Sequence, residues 1–332
     1  MEINQNKILF GVLNWGLGHA TRSLPLIRRL AEEGREVVIA SSGDSLRLLE
    51  KEVPSASFLQ LPDYGISYGS GNLVFEAMKQ MSRVKKVIAR ENKVVNDFVE
   101  SNGIEMIISD NRYGVYSRTV KSVLITHQLR LMLPSGFGFL SAVAQKINLR
   151  YISSFDEVWV PDYEGANNLS GELSHGTDPG VPVRFIGPQS RFSKVETTDY
   201  QYDIAFILSG PEPARTVFEE KIAVMLENFG GKAIMVRGRV EETTPVQYHN
   251  CKVVNYMQYD ELQRVILESR KVVSRSGYST IMDLYAMEKG GLLIPTPGQP
   301  EQEYLARYHN GKNGFRTVKQ KEFRPEMMEL HH

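Results

Sequence analysis

The sequence predicts an α/β fold made of two doubly wound parallel sheets. Short apolar runs, typical of strands buried on both faces, alternate with segments of helical periodicity along the chain. The alternation pauses at one polar stretch, Ser190–Gln201, and then resumes. The length of 332 residues is also that of two average domains. We therefore predict two Rossmann-like domains facing a cleft, over residues 1–189 and 202–330, with a linker over 190–201.

The N-terminal domain is predicted from its strands and helices in chain order. The first strand covers residues 7–13, and the apolar residues of Leu24–Glu33 recur on one face, as in a helix. Further strands are expected at 36–40, 106–110, 122–126 and 157–161, with a long helix over 73–100.

The C-terminal domain repeats this alternation. Its strands are expected at 203–208, 232–236, 252–255, 271–273 and 292–294, with helices between them. Sheets of this kind bind ligands beyond the carboxyl ends of their strands, so the loops that follow the strands are the candidate binding sites.

Composition excludes several classes of protein. Lysine plus arginine and aspartate plus glutamate each number 39, which argues against a nucleic-acid binder with a large basic field. The single cysteine, Cys251, excludes a disulfide framework and favours a reducing compartment. No apolar stretch approaches the ~20 residues needed to span a bilayer. We expect a cytoplasmic protein, with membrane contact at most peripheral, at the inner membrane face.

Metal and cofactor requirements are also constrained by residue spacing. No two aspartates are spaced i, i+2, which is the arrangement that holds a divalent ion on a diphosphate in many transferases. The chain also has no cysteine–histidine cluster with zinc spacing. We therefore expect no essential metal and no cofactor.

The loop Asn14–Arg22, between the first strand and the first helix, is the first candidate site. Its glycines let backbone N–H groups approach a ligand, and a helix N-terminus favours anions. A dinucleotide fingerprint fits poorly, because Thr21 stands at the third glycine position and no acidic residue closes the second strand. A lone histidine is most often packed or solvated, but the position of His19 in this loop favours a catalytic role.

The segment Val273–Asp283 is the second candidate. Hydroxyls of Ser276, Ser279 and Thr280 lie near the start of a predicted helix and could hold a pyrophosphate. Asp283 follows in the helix, where a carboxylate could accept hydrogen bonds from ribose hydroxyls. The alternative is an N-capped helix with Asp283 on a solvated face, and the residues alone do not decide between the two.

Two further loops follow predicted strands. Pro295–Glu303 carries amide and carboxylate groups of the kind that bind sugar hydroxyls, although, taken alone, a polar surface loop rich in proline is slightly favoured. Leu208–Glu212 could offer backbone groups to a phosphate, but Glu212 is a poor neighbour for one and an ordinary turn is favoured.

Together these loops resemble those of family 28-like glycosyltransferases of the GT-B fold, in particular the peptidoglycan N-acetylglucosaminyltransferases that make lipid II. Gly16-Leu17-Gly18-His19 is similar to the family's N-terminal glycine-rich loop, and Thr126-His127-Gln128 to a second histidine-containing loop. Ser274-Arg275-Ser276-Gly277, followed by Asp283, resembles the family's donor signature. Gln302 falls where glutamines contact the donor sugar, and Tyr256-Met257 would lie beside the base.

The resemblance implies a glycosyltransferase that moves a sugar from a UDP-linked donor to a hydroxyl acceptor, which can be lipid-linked. His19 and His127 are the implied catalytic residues. The implied donor-binding residues are Gly16, Gly18, Ser209, Gly210, Tyr256, Met257, Ser274, Arg275, Ser276, Gly277, Tyr278, Ser279, Thr280, Asp283, Gln302 and Glu303.

Three departures from the family pattern stand out. Ser209-Gly210-Pro211-Glu212-Pro213 replaces a glycine-rich loop, Asp283 replaces a glutamate, and Glu303 replaces an amide. Gly18–Arg22 also resembles the corresponding loop of UDP-sugar hydrolases. A UDP-sugar hydrolase or epimerase on the same fold and a non-catalytic nucleotide-sugar binding protein are therefore the alternative functions.

The segment Leu129–Arg150 has two interpretations. Its apolar residues and flanking basic residues could form an interfacial patch that meets a lipid-linked acceptor. A core-facing helix with its entry loop is the commoner arrangement and is favoured.

Overall fold

The computed structural model describes residues 6–65, 73–134, 136–196, 199–210, 212–239, 242 and 244–328, with the backbone alone over 73–81. The chain forms two compact units, each with its own parallel sheet. Unit 1 comprises Met1–Leu131 and Phe139–Gln189, and unit 2 comprises Met132–Gly138 and Ser190–His332. The predicted α/β class with two doubly wound sheets is confirmed.

Unit 1 contains a seven-stranded parallel sheet with the order β3-β2-β1-β4-β5-β6-β7. Its strands are β1 (Lys7–Val12), β2 (Glu36–Ser41), β3 (Ser57–Gln60), β4 (Met106–Asp110), β5 (Lys121–Ile125), β6 (Glu157–Val160) and β7 (Val183–Phe185). The central strands β1 and β4 are almost wholly buried, in keeping with their continuous apolar sequences.

The helices of unit 1 are α1 (Gly18–Glu32), α2 (Gly43–Glu52), α3 (Leu73–Asn102) and α4 (Ser141–Ile152). Helix α1 begins at Gly18, earlier than the Leu24 expected from apolar spacing. Its first turn contains glycine, histidine and threonine, so apolar periodicity cannot show that it is helical. Because of this early start, His19 and Arg22 both lie on α1, one turn apart.

Unit 2 contains a six-stranded parallel sheet with the order β10-β9-β8-β11-β12-β13. Its strands are β8 (Tyr202–Ile207), β9 (Ala233–Val236), β10 (Cys251–Val254), β11 (Ser269–Ser274), β12 (Gly291–Leu293) and β13 (Phe315–Thr317). Its helices are α5 (Ala214–Leu226), α6 (Tyr259–Leu267), α7 (Tyr278–Ala286) and α8 (Pro300–His309).

Three strands were not predicted from the sequence. They are β3, β7 and β13, and each lies at an edge of its sheet. Each has at most four residues and a partly exposed face, so none produces the continuous apolar run of a central strand. The order β2-β1-β4 puts the loop after β1 next to the loops after β2 and β4, which is where the first candidate site lies.

Helix α4 leaves the apolar residues at its own start exposed, whereas Leu129, at the beginning of the predicted segment, is buried in the core. Phe139 is 76% exposed and Val143 is 57% exposed, while Asn148 and Ile152 are the residues that α4 buries. The favoured interpretation of this segment as a core-facing helix is therefore wrong for its first turn. Among the described residues, no helix is both long enough and apolar enough to cross a bilayer.

Candidate active-site residues

Asp110 is the centre of a buried polar cluster in unit 1. It closes β4, the middle strand of the sheet, and its side chain is 1% exposed. Its Oδ2 accepts hydrogen bonds from Arg22 Nε at 2.7 Å and Ser23 Oγ at 2.8 Å, and its Oδ1 accepts one from Arg22 Nη2. Burial alone would raise the pKa of Asp110, but Arg22 and His19 hold that pKa well below its usual range. Asp110 is therefore ionised at neutral pH.

His19 lies beside this carboxylate in a defined tautomer. Its Nδ1 is 2.8 Å from Asp110 Oδ1, and because an ionised carboxylate only accepts, Nδ1–H is the donor. The lone pair is then on Nε2. Burial and the charge of Arg22 lower the pKa of His19 from its ordinary 6.5, and Asp110 offsets this in part. A neutral imidazole with a basic Nε2 and a 14% exposed side chain can accept a proton from a ligand.

His127 belongs to the same cluster but is deeper, with 4% of its surface exposed. It follows β5, which is next to β4 in the sheet. Arg22 Nη1 lies 3.0 Å from His127 Nδ1. A guanidinium can only donate, so His127 Nδ1 accepts and the ring hydrogen is on Nε2. The two predicted catalytic histidines are thus brought to the two sides of one arginine.

A second buried ion pair, Arg112 with Glu91, supports the loops around this cluster. Its side chains are 1% and 0% exposed. Arg112 also donates to Val12 O at 3.3 Å and to Ser42 Oγ at 3.2 Å, and to the carbonyl of Pro62. These three acceptors follow or close β1, β2 and β3. One guanidinium therefore connects the loops at the carboxyl ends of β1, β2 and β3 with its own loop after β4.

In unit 2, Asp283 lies on α7 with Ser190 and Arg191 beside it. Ser190 Oγ donates to Asp283 Oδ1 at 2.6 Å. Burial raises the pKa of Asp283 to about 6, even though Arg191 and the Ser190 hydrogen bond act to lower it. Asp283 therefore does not lie on a fully solvated helix face.

Arg191 is a functional candidate that the sequence did not indicate. Its Nε and Nη1 are buried and have no hydrogen-bond partner among the described residues. Its guanidinium carbon lies 5.0 Å from the centre of the Phe192 ring. Buried arginine donors are normally satisfied, so two that are not indicate a position suited to an anionic ligand. The polar stretch around Arg191 is predicted from the sequence to be a linker, and this prediction gives no reason to single out one of its residues.

The start of α7 has the form expected of an anion-binding helix end. Gly277 is the N-cap residue in an extended conformation, and Tyr278, Ser279 and Thr280 form the first turn. Ser276 Oγ donates to Gln302 O at 2.8 Å, which fixes α7 against the start of α8. Ser274 is buried at the end of β11, and the N-terminal N–H groups of α7 follow directly.

Other predicted donor-binding side chains bond within unit 2. Arg275 is 1% exposed, lies 4.0 Å from the centre of the Phe218 ring, and donates to Gln320 Oε1 at 2.8 Å. Gln302 Oε1 accepts from Thr296 N at 2.9 Å, and Glu303 Oε1 accepts from Gly298 N at 3.1 Å. These side chains shape the loops after β11 and β12.

The loop after β8 already carries a carboxylate at the start of α5. Glu212 Oε2 accepts from Thr216 N at 3.1 Å and Thr216 Oγ1 at 2.8 Å, while Oε1 accepts from Arg215 Nη2 at 2.8 Å. Gly210 in this loop has φ of +100°, a value that favours glycine. Ser209 and Gly210 precede a helix end that Glu212 caps, and Pro211 lies outside the described residues.

The remaining predicted contacts lie on loops after strands. Gly16 has φ of +70° in the loop after β1, and Gly18 begins α1. Tyr256 follows β10, and Met257 is 7% exposed and packs into the core with Ala205 and Val265. Gly16 and Gly18 therefore lie at the carboxyl end of the sheet of unit 1, and Tyr256 and Met257 at the carboxyl end of the sheet of unit 2.

Comparison with known proteins identifies the kind of enzyme. Residues 218–330 match the glycosyltransferase family 28 C-terminal domain. The protein is a glycosyltransferase with a C-terminal domain of the family 28 type. Its matched segment contains the whole of α7 and α8, and so includes Asp283.

Relatives of this glycosyltransferase match over most of its length. An uncharacterized glycosyltransferase of Methanosarcina acetivorans is 27% identical over 317 residues, covering 90% of this chain and 79% of the relative. A relative from Clostridium tetani is 24% identical over 335 residues, covering 92% of this chain and 83% of the relative. It is named a UDP-N-acetylglucosamine–N-acetylmuramyl-(pentapeptide) pyrophosphoryl-undecaprenol N-acetylglucosamine transferase. The crystal structure of the kitacinnamycin glycosyltransferase aligns with a TM-score of 0.65 at 14% identity, and the alignment covers 98% of this chain and 89% of that one. This last likeness shows the GT-B fold.

Within the described ranges, no group of three or more histidine, cysteine, aspartate or glutamate side chains could hold a metal ion. The positive charges that act on the candidate carboxylates are that of Arg22 beside Asp110 in unit 1 and that of Arg191 beside Asp283 in unit 2.

Proposed function

We propose that this glycosyltransferase moves a sugar from a UDP-linked donor to a hydroxyl acceptor without a metal ion. The proposal rests above all on the pairing of His19 with Asp110, which provides a neutral imidazole of fixed tautomer at the end of a parallel sheet. Glycosyl transfer requires a base of this kind, because the acceptor hydroxyl loses its proton as it attacks the anomeric carbon.

His19 is proposed as that base. The acceptor oxygen forms a bond to the anomeric carbon, its proton passes to His19 Nε2, and the bond to the leaving diphosphate breaks. The imidazolium that results is stabilised by the ionised Asp110, which accepts the hydrogen bond from Nδ1 at 2.8 Å. Arg22 keeps Asp110 ionised throughout, so the proton remains on His19.

Unit 2 is proposed to bind the donor. The carboxylate of Asp283 would accept hydrogen bonds from ribose hydroxyls, while the N–H groups at the start of α7 would bind the diphosphate. Arg191, with two unsatisfied buried donors, supplies a full positive charge for the departing UDP. The family 28 C-terminal domain match over residues 218–330 and the UDP-linked donor in the name of the Clostridium tetani relative support a UDP-sugar.

Calorimetric titration with UDP, GDP and dTDP tests the donor site. UDP is expected to bind most tightly and to bind about 10- to 100-fold more weakly to Asp283→Ala, the loss expected for a hydrogen bond to a charged group. Glu227→Ala is the matched control, since it removes an exposed carboxylate from the same unit. Equal binding of all three nucleotides, or of UDP to both variants, would contradict the assignment.

The acceptor is proposed to be lipid-linked, with the enzyme at the cytoplasmic membrane face. Phe139, Leu140 and Val143 are exposed at the start of α4, and Lys146 and Arg150 follow on the same helix. No acidic residue occurs from 139 to 155. Exposed apolar side chains and two basic residues on a helix without acidic residues fit the surface of an anionic bilayer.

Vesicle sedimentation tests this surface. The protein is expected to sediment with phosphatidylglycerol vesicles and not with phosphatidylcholine vesicles, and Phe139→Ser/Val143→Ser should abolish sedimentation. Val217→Ser/Val224→Ser is the control, because it removes two exposed valines from α5. Sedimentation that is unchanged in the α4 variant would contradict membrane contact through α4.

A further inference from the structure

His127 was expected to be catalytic together with His19, but its hydrogen bonding points to a different role. We propose that His127 is a positioning residue that holds Arg22 and thereby keeps His19 in its base-competent tautomer. This inference rests on the proposed role of His19 as base. Arg22 thereby determines the hydrogen positions of both histidines.

His127 has a fixed position in the loop after β5. It stands between Thr126, whose N donates to Trp159 O at 3.1 Å, and Gln128, whose N donates to Thr126 Oγ1 at 3.1 Å. The backbone after β5 is therefore held on both sides of the histidine. With 4% of its surface exposed, His127 is far less accessible than a residue that takes protons directly from a ligand needs to be.

The bond to Arg22 has a defined polarity. All five N–H groups of a guanidinium donate, so the 3.0 Å contact between Arg22 Nη1 and His127 Nδ1 requires a lone pair on Nδ1. Nδ1 of His127, the nitrogen that faces the cluster, therefore accepts a hydrogen bond from the positively charged Arg22. A proton added at Nδ1 would replace this bond by contact between two positive charges.

Arg22 is connected to His19 through Asp110. Arg22 contacts Asp110 through Nε and Nη2, and His127 through Nη1, so its planar group is fixed at both ends. Asp110 in turn accepts from His19 Nδ1. The chain of contacts His127–Arg22–Asp110–His19 sets opposite tautomers, with hydrogen on Nδ1 of His19 and on Nε2 of His127.

Two substitutions separate positioning from catalysis. In His127→Asn, the amide oxygen can lie near the former Nδ1 and accept from Arg22, whereas His127→Leu has similar bulk and no acceptor. We expect turnover near the wild-type value in His127→Asn and a loss of roughly tenfold or more in His127→Leu, as is typical when a supporting hydrogen bond to a functional residue is removed. If His127 were itself the base, both variants would lose activity alike.

Nitrogen-15 NMR of the histidine side chains provides a readout independent of turnover. The wild-type protein at pH 7 should show the Nδ1–H tautomer for His19 and the Nε2–H tautomer for His127. His127→Leu should raise the pKa of His19 by roughly half a unit to one unit, because a less well held Arg22 neutralises Asp110 less completely. His127→Asn should leave the pKa of His19 unchanged.

The outcomes also distinguish this inference from the proposed function. A charged or Nδ1–H His127 in the wild-type spectrum overturns the positioning role, even if the variants do not fold. An unchanged pKa of His19 in folded His127→Leu overturns it as well. If the tautomers are as expected but His19→Ala remains fully active, the positioning chain stands and the base assignment is the part that fails.

Discussion

Ser190 donates a hydrogen bond of 2.6 Å to Asp283, which lies 93 residues further along the chain. The bond attaches the first residue of the predicted linker to the helix that carries the candidate ribose-binding carboxylate. It also brings the neighbouring Arg191 close enough to act on the pKa of that carboxylate. Residues on both sides of the bond thus contribute to one candidate donor site within unit 2.

Asp283→Asn is expected to stabilise the protein at neutral pH. The pKa of Asp283 in the folded state is about 6, above its ordinary 3.8, so ionisation opposes folding as the pH rises through this interval. The variant should gain about 1–2 kcal/mol over wild type at pH 7.5 and nothing at pH 3.5, allowing for partial solvation. Urea unfolding at the two pH values measures the difference. A gain that is equal at both would show that Asp283 does not titrate as described.

Arg191→Met is expected to weaken binding of UDP and of inorganic pyrophosphate with only a small loss of stability, which comes from the positive charge beside Asp283. Two of its buried donors have no partner among the described residues, so removing them costs no internal hydrogen bond. The loss of affinity should be about tenfold or more, as for a charged hydrogen bond. Arg324→Met removes an exposed positive charge from unit 2 and is the control. Calorimetry measures the affinity for each ligand, and thermal unfolding measures the stability of the variant.

His19→Ala is expected to lower kcat by about 10²- to 10⁴-fold while UDP binding is retained. In the wild-type enzyme, the lowered pKa of His19 keeps the base neutral throughout the physiological range. The rate should therefore fall only as the pH drops below the ordinary histidine value of 6.5, and the acidic limb should vanish in the variant. A pH–rate profile of both proteins checks this, and a limb that persists in the variant would belong to another group.

Asp110→Asn is expected to destabilise the protein by about 3–5 kcal/mol, because Arg22 would be left buried without its counter-charge. The folded-state pKa of Asp110 lies well below its usual value. Its contribution is therefore complete above the ordinary carboxyl pKa and is lost only as the pH falls through the folded-state pKa. Asp44→Asn breaks the exposed pair with Arg47 and should cost less than about 1 kcal/mol. Equal effects of the two substitutions in urea would argue against a structural role for Asp110.

Chelation is expected to leave turnover unchanged. The proposed leaving-group stabilisation comes from Arg191 and the start of α7, which need no divalent ion. Activity measured in EDTA, and again after addition of Mg²⁺ or Mn²⁺, tests this. A rate restored only by the metal would contradict metal-independent transfer.

The central strands of both sheets could be predicted because burial on both faces requires continuous apolar sequence, as in β1 and β4. The edge strands β3, β7 and β13 could not, since burial on one side of a short segment leaves little periodicity. The first turn of α1 could not be predicted to be helical either, because it is polar and has no apolar spacing.

The candidate site shows a similar division between local and long-range information. His19, Asp283 and the start of α7 lie in the segments that follow β1 and β11, and the residues of those segments themselves suggest binding. Arg22 and Asp110 are 88 residues apart in sequence, and only the adjacency of β1 and β4 brings them together. One signal was available, because an aspartate closing a buried apolar strand needs a cationic or hydrogen-bonding partner.

The Arg112 guanidinium, which donates to Val12 O, Ser42 Oγ and Pro62 O, has a consequence for protein engineering. The loops after β1, β2 and β3 each supply one hydrogen-bond acceptor to this guanidinium, which the loop after β4 carries. A change in the path of any one of them therefore disturbs Arg112 and, through it, the other loops. Libraries intended to change acceptor preference should therefore exchange the loops after β1, β2, β3 and β4 as a single cassette, with Glu91 and Arg112 kept in place.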